Sequence, residues 1–243
     1  MRQGIFDIVS NIPLTETVYK MVLRGDTAAC TAPGQFINIR LDGLFLRRPI
    51  SVCDWDAETL TILYKVVGKG TEQMASMAHG SLDILTGLGN GYDLSIVGDA
   101  PLLIGGGVGV PPMYGLAKQL TALGKKVSVV LGFNQKSEIF YETEFRDLGA
   151  AVTVTTADGS YGVRGFVTDA MDQNNSHFCA CGPEPMLKAV YRKSVTSGQL
   201  SFEERMGCGF GACMGCSCKT ITGYKRICKE GPVMRKEEIL WEV

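Results

Sequence analysis

Nine cysteines spread over 243 residues would put about 0.8 in a window of 21, yet Cys208 to Cys228 holds five. The first ten residues lack the continuous apolar run of an export signal, so the thiols are expected to stay reduced and to serve metal or redox chemistry before disulfides. Cys208, Cys213 and Cys216 read C-x4-C-x2-C, and eleven residues separate Cys216 from Cys228. This spacing opens plant-type [2Fe-2S] sites, whereas cysteine zinc sites more often show two C-x2-C pairs. An oxidised [2Fe-2S] core with four thiolates carries a charge of about −2 and calls for N–H donors turned toward sulfur. Gly207, Gly209, Gly211 and Gly215 suit that demand, because glycine lets the chain curl tightly. A structural zinc knuckle with four cysteine ligands is the alternative reading of the same residues. Cys218 either competes as a ligand or, with Cys228 as the fourth, is a spare thiol. Cys30, Cys53, Cys179 and Cys181 lie far from the run and read as small buried hydrophobes.

Four glycine- or arginine-bearing segments could hold phosphates. Gly105-Gly-Gly-Val-Gly-Val-Pro-Pro112 falls where a strand gives way to a helix, the place where nucleotide phosphates meet a helix N-terminus. It contains G-x-G-x-x-P in place of G-x-G-x-x-G, and no acidic residue ends the next strand at Leu131 to Asn134, which disfavours an orthodox doubly wound dinucleotide enzyme. Cys181-Gly-Pro-Glu-Pro-Met186 follows a later strand, so Gly107 and Gly109 are expected to face Cys181, Gly182 and Pro183 across one crevice. Upstream, Arg48-Pro-Ile-Ser51 and Lys65-Val-Val-Gly-Lys-Gly-Thr71 each follow strand-like runs. Arg48 could pair with a pyrophosphate through charge-assisted bonds of roughly 1.5–3 kcal/mol each, while Gly68, Gly70 and Thr71 could offer backbone N–H groups. Taken singly, each segment also fits a surface arginine or a plain turn. The chain has no G-x-S-x-G or H-E-x-x-H, and its two histidines, His79 and His177, read as structural. No catalytic nucleophile or general base is expected.

The elements that must position these segments fall into three zones, which predict a β-barrel plus α/β architecture. Short runs at Val18–Leu23, Phe36–Leu41 and Leu60–Val67 alternate with turns and predict a small antiparallel barrel, with Ile37, Ile39 and Leu41 on one face. From Pro101 the pattern becomes βαβαβ, hence a parallel sheet with right-handed crossovers, closed by a helix over Pro185–Lys193. From about Glu203 the cysteine segment is expected to be too short for a core without its metal. The expected units are residues 1–98, 99–200 and 201–243. Ala100–Ala117 carries no charge, but its prolines and glycines would break a lipid-spanning helix, so no membrane partner is expected. With 45% hydrophobic and 20% charged residues the chain is not disordered, and a net charge of −1 offers no field for nucleic acid. A cytoplasmic location follows as an expectation.

The order R-P-I-S, K-x-x-G-x-G-T, G-x-G-x-x-P, C-G-P-x-P-M resembles the ferredoxin-NADP reductase superfamily over about residues 5 to 195. The tail, Glu203-Glu-Arg-Met-Gly-Cys-Gly-Phe-Gly-Ala-Cys-Met-Gly-Cys216 followed by Cys228-Lys-Glu-Gly-Pro-Val233, resembles the electron transfer subunits of type B dihydroorotate dehydrogenases. That resemblance implies an FAD-binding barrel, an NAD-binding second domain and a [2Fe-2S] tail facing an FMN-containing catalytic subunit that oxidises dihydroorotate to orotate, in a hetero-oligomer of two plus two subunits. Carried over by position, Arg48 binds the FAD pyrophosphate, Ser51 lies near the flavin N5, and Pro49 and Ile50 run along the ring. Lys65, Val66 and Val67 line the adenosine or ribityl side, Gly70 and Thr71 the phosphates, and Cys208, Cys213, Cys216 and Cys228 are the iron ligands. Ile50 departs from the aromatic residue common in the superfamily, and Thr86-Gly-Leu-Gly89 lacks a proline often found there. The family favours NAD(H), although Lys136 leaves a phosphate contact open. The chemistry agrees: nicotinamide exchanges a hydride pair, a [2Fe-2S] centre one electron, and a flavin either, so a flavin belongs between them. The competing readings are a reductase subunit of a sulfite reductase, hydrogenase or ferredoxin-NADP transhydrogenase complex, and a zinc-stabilised binding module without activity.

Overall fold

Alternating apolar positions close the N-terminal part into a six-stranded antiparallel barrel, seen in a computed structural model that describes residues 1–241. Its strands are β1 (Arg2–Pro13), β2 (Val18–Arg24), β3 (Phe36–Ile39), β4 (Arg48–Trp55), β5 (Thr59–Lys65) and β6 (Ser81–Leu88), in the order β1-β2-β5-β4-β3-β6, with helix α1 (Lys69–Ala75) crossing between β5 and β6. Ile37, Ile39 and Leu41 point into the barrel core beside Phe6, Leu23, Leu60 and Ile62, as their spacing predicts. Strand β1 carries little signal in the sequence, since Ile5, Val9 and Ile12 on its outer face are exposed and only Phe6 and Ile8 alternate inward.

The second sheet holds β7 (Pro101–Gly106), β8 (Ser128–Phe133), β9 (Ala151–Thr156), β10 (Val163–Arg164), β11 (His177–Cys181) and β12 (Gly198–Ser201), all parallel, with helices α2 (Val110–Ala122), α3 (Glu142–Asp147) and α4 (Glu184–Lys193). The chain winds β7-β8-β9-β10 in one direction and then returns to lay β11 on the other side of β7. The winding therefore reverses between β7 and β11, which opens a crevice at their carboxyl ends. Helix α2 also packs on the barrel: a Cβ on Gly115 would lie 2.6 Å from the Cys53 carbonyl oxygen in β4, and Lys118 Nζ reaches Asp54 at 2.7 Å. Among the described residues no helix is long and apolar enough to cross a membrane.

The tail forms a hairpin, β13 (Ser217–Thr220) and β14 (Gly223–Arg226), and then β15 (Val233–Arg235), which pairs antiparallel with β12 and completes a seven-stranded sheet. The expected boundary at residue 200 thus falls inside β12. The tail also does not depend on metal alone for a core. Cys216, Ile227, Cys228, Met234 and Ile239 share one apolar cluster with Leu102, Ile104 and Phe178 of the sheet and Phe36, Leu85 and Leu88 of the barrel. A short segment escapes the small-domain limit by burying its apolar residues against a neighbour.

Candidate cofactor sites

Arg48 opens β4 and its side chain crosses to α1. A Cβ on Gly70 would lie 2.3 Å from Arg48 Nε, so only glycine at this buried position lets the guanidinium rest on the first helical turn. Arg48 Nη1 also donates to the Leu46 carbonyl. The first amides of a helix have no intrahelical acceptor, so a cation and free N–H groups converge here, the donor set a pyrophosphate requires. Thr71 shapes the approach: its Oγ1 accepts from Val67 N at 2.9 Å and Gly68 N at 3.3 Å and donates to the Gly68 carbonyl at 3.0 Å. The Gly68 N–H is therefore spent inside the loop and is not the phosphate donor the sequence reading expected. Lys65 and Val67 are exposed and Val66 is half-buried beside them. In the β3–β4 pair Ile50 lies opposite Ile37 and packs toward the barrel core, while Pro49 and Ser51, opposite Asn38 and Phe36, share the other face.

The two glycine-rich loops meet as expected. Gly105 and Cys181 are register partners in β7 and β11, and a Cβ on Gly109 would lie 2.1 Å from the Cys181 carbonyl oxygen. Gly107 adopts φ +52°, and Gly106 leaves room for Met186, whose Sδ would be 2.4 Å from an added Cβ. Gly107, Gly109, Cys181, Gly182 and Pro183 thus stand together at the carboxyl ends of β7 and β11. Glu138, in the turn after β8, accepts through Oε2 from Asn134 Nδ2 at 2.9 Å and from Asn134 N at 3.3 Å.

The cysteine loop brings its four sulfurs together as two pairs. Cys208 N donates to Cys213 Sγ and Cys213 N to Cys208 Sγ, both at 3.4 Å, and Cys228 N donates to Cys216 Sγ at 3.4 Å. Two sulfur pairs, Cys208 with Cys213 and Cys216 with Cys228, supply the four thiolates that would hold a two-iron cluster. The donors to sulfur include the amides of Cys208, Phe210, Gly211, Ala212, Cys213 and Cys228, and Gly209 and Gly211 curl the loop at φ +78° and +92°. Burial works to raise the Cys208 thiol, but N–H donors from Cys213, Phe210 and Ala212, with the Cys213 side chain, outweigh it and lower it to about 6, which favours the thiolate a metal needs. Burial and the Cys216 sulfur push Cys228 up to about 12. Cys218 lies apart from both pairs, half-buried with its Sγ 4.0 Å from Met234 Sδ. Cys30, Cys53 and Cys179 are buried, His177 is buried beside Gln199, and His79 is exposed.

A closed barrel, a sheet with reversed winding and a thiolate tail define a flavin- and nicotinamide-linked reductase module of the ferredoxin-NADP reductase kind that carries an iron-sulfur segment. Residues 203–240 match the iron-sulfur cluster binding domain of dihydroorotate dehydrogenase B, and residues 103–192 match the oxidoreductase NAD-binding domain. The chain is 43% identical over 250 residues to the dihydroorotate dehydrogenase B (NAD(+)) electron transfer subunit of Fusobacterium nucleatum, covering 96% of each chain, and 42% identical to that of Bacillus pumilus, covering 98% of each. Among solved structures it resembles a chain of the NADH-dependent reduced ferredoxin-NADP oxidoreductase, with a TM-score of 0.89 and 30% identity over 98% of this chain and 90% of that one. A ferredoxin NADP+ reductase from Neisseria gonorrhoeae shares the fold, with a TM-score of 0.69 at 15% identity over 79% of this chain and 90% of that one. The chain belongs to the family of dihydroorotate dehydrogenase B (NAD(+)) electron transfer subunits.

Proposed function

We propose that the chain is the electron transfer subunit of an NAD-dependent dihydroorotate dehydrogenase in pyrimidine biosynthesis, working in the cytoplasm. Electrons from dihydroorotate leave the FMN of a catalytic partner and reach NAD+ by way of the [2Fe-2S] cluster and FAD held here, in an assembly of two plus two subunits. The observation that carries this reading is the pairing of Cys208 with Cys213 and of Cys216 with Cys228, inside a segment that matches the iron-sulfur cluster binding domain of dihydroorotate dehydrogenase B.

When bound, FAD and the cluster supply two-electron and one-electron exchange; the protein binds, orients and excludes water. Residues 1–98 hold FAD: Arg48 neutralises the pyrophosphate over Gly70 and Thr71, Pro49 and Ile50 offer backbone along the ring, Ser51 sits near N5, and Lys65, Val66 and Val67 line the ribityl and adenosine side. Residues 99–200 hold NAD(H) between Gly107, Gly109, Cys181, Gly182 and Pro183, and the Glu138 carboxylate suits a ribose diol better than a phosphate, in keeping with NAD. Residues 201–243 hold the cluster through the two sulfur pairs. The proton that accompanies hydride chemistry needs no dedicated base on this chain.

Anaerobically prepared protein should show flavin bands with broad iron-sulfur absorption and contain iron and acid-labile sulfide. Recombined with the catalytic subunit it should couple orotate formation to NAD+ reduction. A colourless, zinc-loaded protein, or a loaded one that couples to a different oxidoreductase and leaves dihydroorotate untouched, would overturn the reading.

A further inference from the structure

We propose that Asn38 is a positioning residue that ties the cysteine loop to the flavin strand and so fixes how the two redox centres face each other; this rests on the cofactor assignment above. Asn38 lies in β3 with 1% of its surface exposed, and its Nδ2 donates to the carbonyl of Cys208 at 3.1 Å, a contact between residues 170 positions apart. Its register partner is Pro49 of the R-P-I-S strand, and its carbonyl accepts from Arg47 Nη1 at 3.3 Å. From Pro49 to a cluster ligand the chain therefore needs one ladder pair and one side-chain hydrogen bond.

Three observations set this contact apart from ordinary packing. Ile37 and Ile39 on either side face the barrel core, whereas Asn38 faces the tail in company with the apolar Phe36, where a residue serving only to fill space would be apolar too. Gly209, next to Cys208, has φ +78°, and a Cβ there would lie 2.3 Å from Asn38 Nδ2, so the loop is shaped to let the amide in. Finally, Asn38 Oδ1 is buried without a hydrogen-bond partner. An unmatched buried acceptor is destabilising, yet the amide cannot turn over to relieve it, because that would set Oδ1 against the Cys208 carbonyl. The side chain is thus committed to one job, donation to the backbone of Cys208.

The test uses the full-length, cofactor-loaded chain with Asn38→Leu, and Asn38→Ser should the first variant fail to fold. Four quantities are read: flavin content, NADH-to-dye turnover, the electron paramagnetic resonance spectrum of the reduced cluster, and the stopped-flow rate at which NADH reduces the cluster. Flavin content and dye turnover should stay within about twofold. The cluster spectrum should shift and cluster reduction should slow severalfold. Loss of the cluster with flavin and dye turnover retained would also support the tether. Loss of flavin together with the cluster would make Asn38 a barrel residue only, and an unchanged spectrum and rate in a fully loaded variant would show the contact to be idle; either result overturns the inference. Wild-type protein without iron and sulfide would overturn the cofactor assignment as well, whereas loaded wild type with an indifferent Asn38 overturns this inference alone.

Discussion

A methyl group on Gly70 should weaken FAD binding while leaving the fold as stable as before or slightly more so. Gly70 sits in the first turn of α1, outside the left-handed region of φ, so Gly70→Ala introduces no backbone strain and should gain about 0.5–1 kcal/mol of helix stability. The added Cβ would, however, lie 2.3 Å from Nε, 2.9 Å from Cζ and 3.1 Å from Cδ of Arg48, well inside van der Waals contact. An arginine side chain yields before a helix does, so the guanidinium moves off the turn and loses its hold on the pyrophosphate. One charge-assisted hydrogen bond of roughly 1.5–3 kcal/mol then disappears, which corresponds to FAD binding about 10- to 150-fold weaker. Titration of apoprotein with FAD, followed by flavin fluorescence, reads the affinity, and thermal melting of the same apoprotein reads the fold. Arg48→Ala should weaken FAD to a similar degree, and the double variant should be no worse than either single one, since both act through the same guanidinium. Unchanged FAD affinity in Gly70→Ala, or full additivity with Arg48→Ala, would refute the placement of the pyrophosphate.

Cys213→Ser should lose the cluster and dihydroorotate-to-NAD+ coupling while keeping NADH-to-dye turnover through FAD; a variant that keeps both cluster and coupling would remove Cys213 from the ligand set. Gly109→Ala would place a Cβ 2.1 Å from the Cys181 carbonyl oxygen, where both partners are backbone, and should raise the KM for NADH at least tenfold with FAD content unchanged, read by steady-state dye reduction. Hydrogen bonds from Arg226 hold the Glu230 carboxyl at about 2, below its ordinary 4.5. Its stabilising contribution is therefore complete above pH 4.5 and is lost as the pH falls toward 2. Because Arg226 Nη1 also donates to the Gly211 carbonyl in the cysteine loop, at 2.6 Å, the loop of the apoprotein should loosen to proteolysis across that acid range. Glu230→Gln should show the looser loop already at neutral pH, and its absence would detach the ion pair from the loop.

Much of the architecture is readable from local spacing, and what escapes is what only tertiary pairing decides. Ile37, Ile39 and Leu41 announce the barrel because their alternation is confined to one strand, and the change of period at Pro101 announces the parallel sheet. The meeting of Gly109 with Cys181 was expected from two motifs that each end a strand, although what brings them together is the pairing of β7 with β11 across the reversal in winding. Spacing could not reveal that Ile227, Met234 and Ile239 would be buried against the sheet, since these residues carry no period of their own and find their partners on strands distant in sequence. Nor could it show which amides reach sulfur. Glycine composition identifies where the loop curls, and the amides that reach sulfur there include non-glycine ones, those of Cys208, Phe210, Ala212 and Cys213, as well as that of Gly211.

The linker between barrel and sheet explains how a relay across three units keeps its geometry. A connection such as residues 89–93 would ordinarily allow domains to swing. Here Asn90 donates to the carbonyls of Glu230 and Val233 at 3.2 and 2.7 Å and accepts from Val233 N at 3.1 Å, while Asp93 exchanges hydrogen bonds with Gln199 and pairs with Arg235 at 3.1 Å. Tail, barrel and sheet are thus pinned at one junction. The two proposed iron sites inherit unequal rigidity from it. Cys216 and Cys228 are each 2% exposed within the shared core, whereas Cys213 is exposed on a loop that contacts the rest of the chain through the Asn38–Cys208 and Arg226–Gly211 hydrogen bonds. One half of the cluster is therefore held by packing and the other by two directional bonds on the solvent side. Positional precision at Cys208 and Cys213 therefore leans more on directional hydrogen bonds than on the apolar packing that holds Cys216 and Cys228.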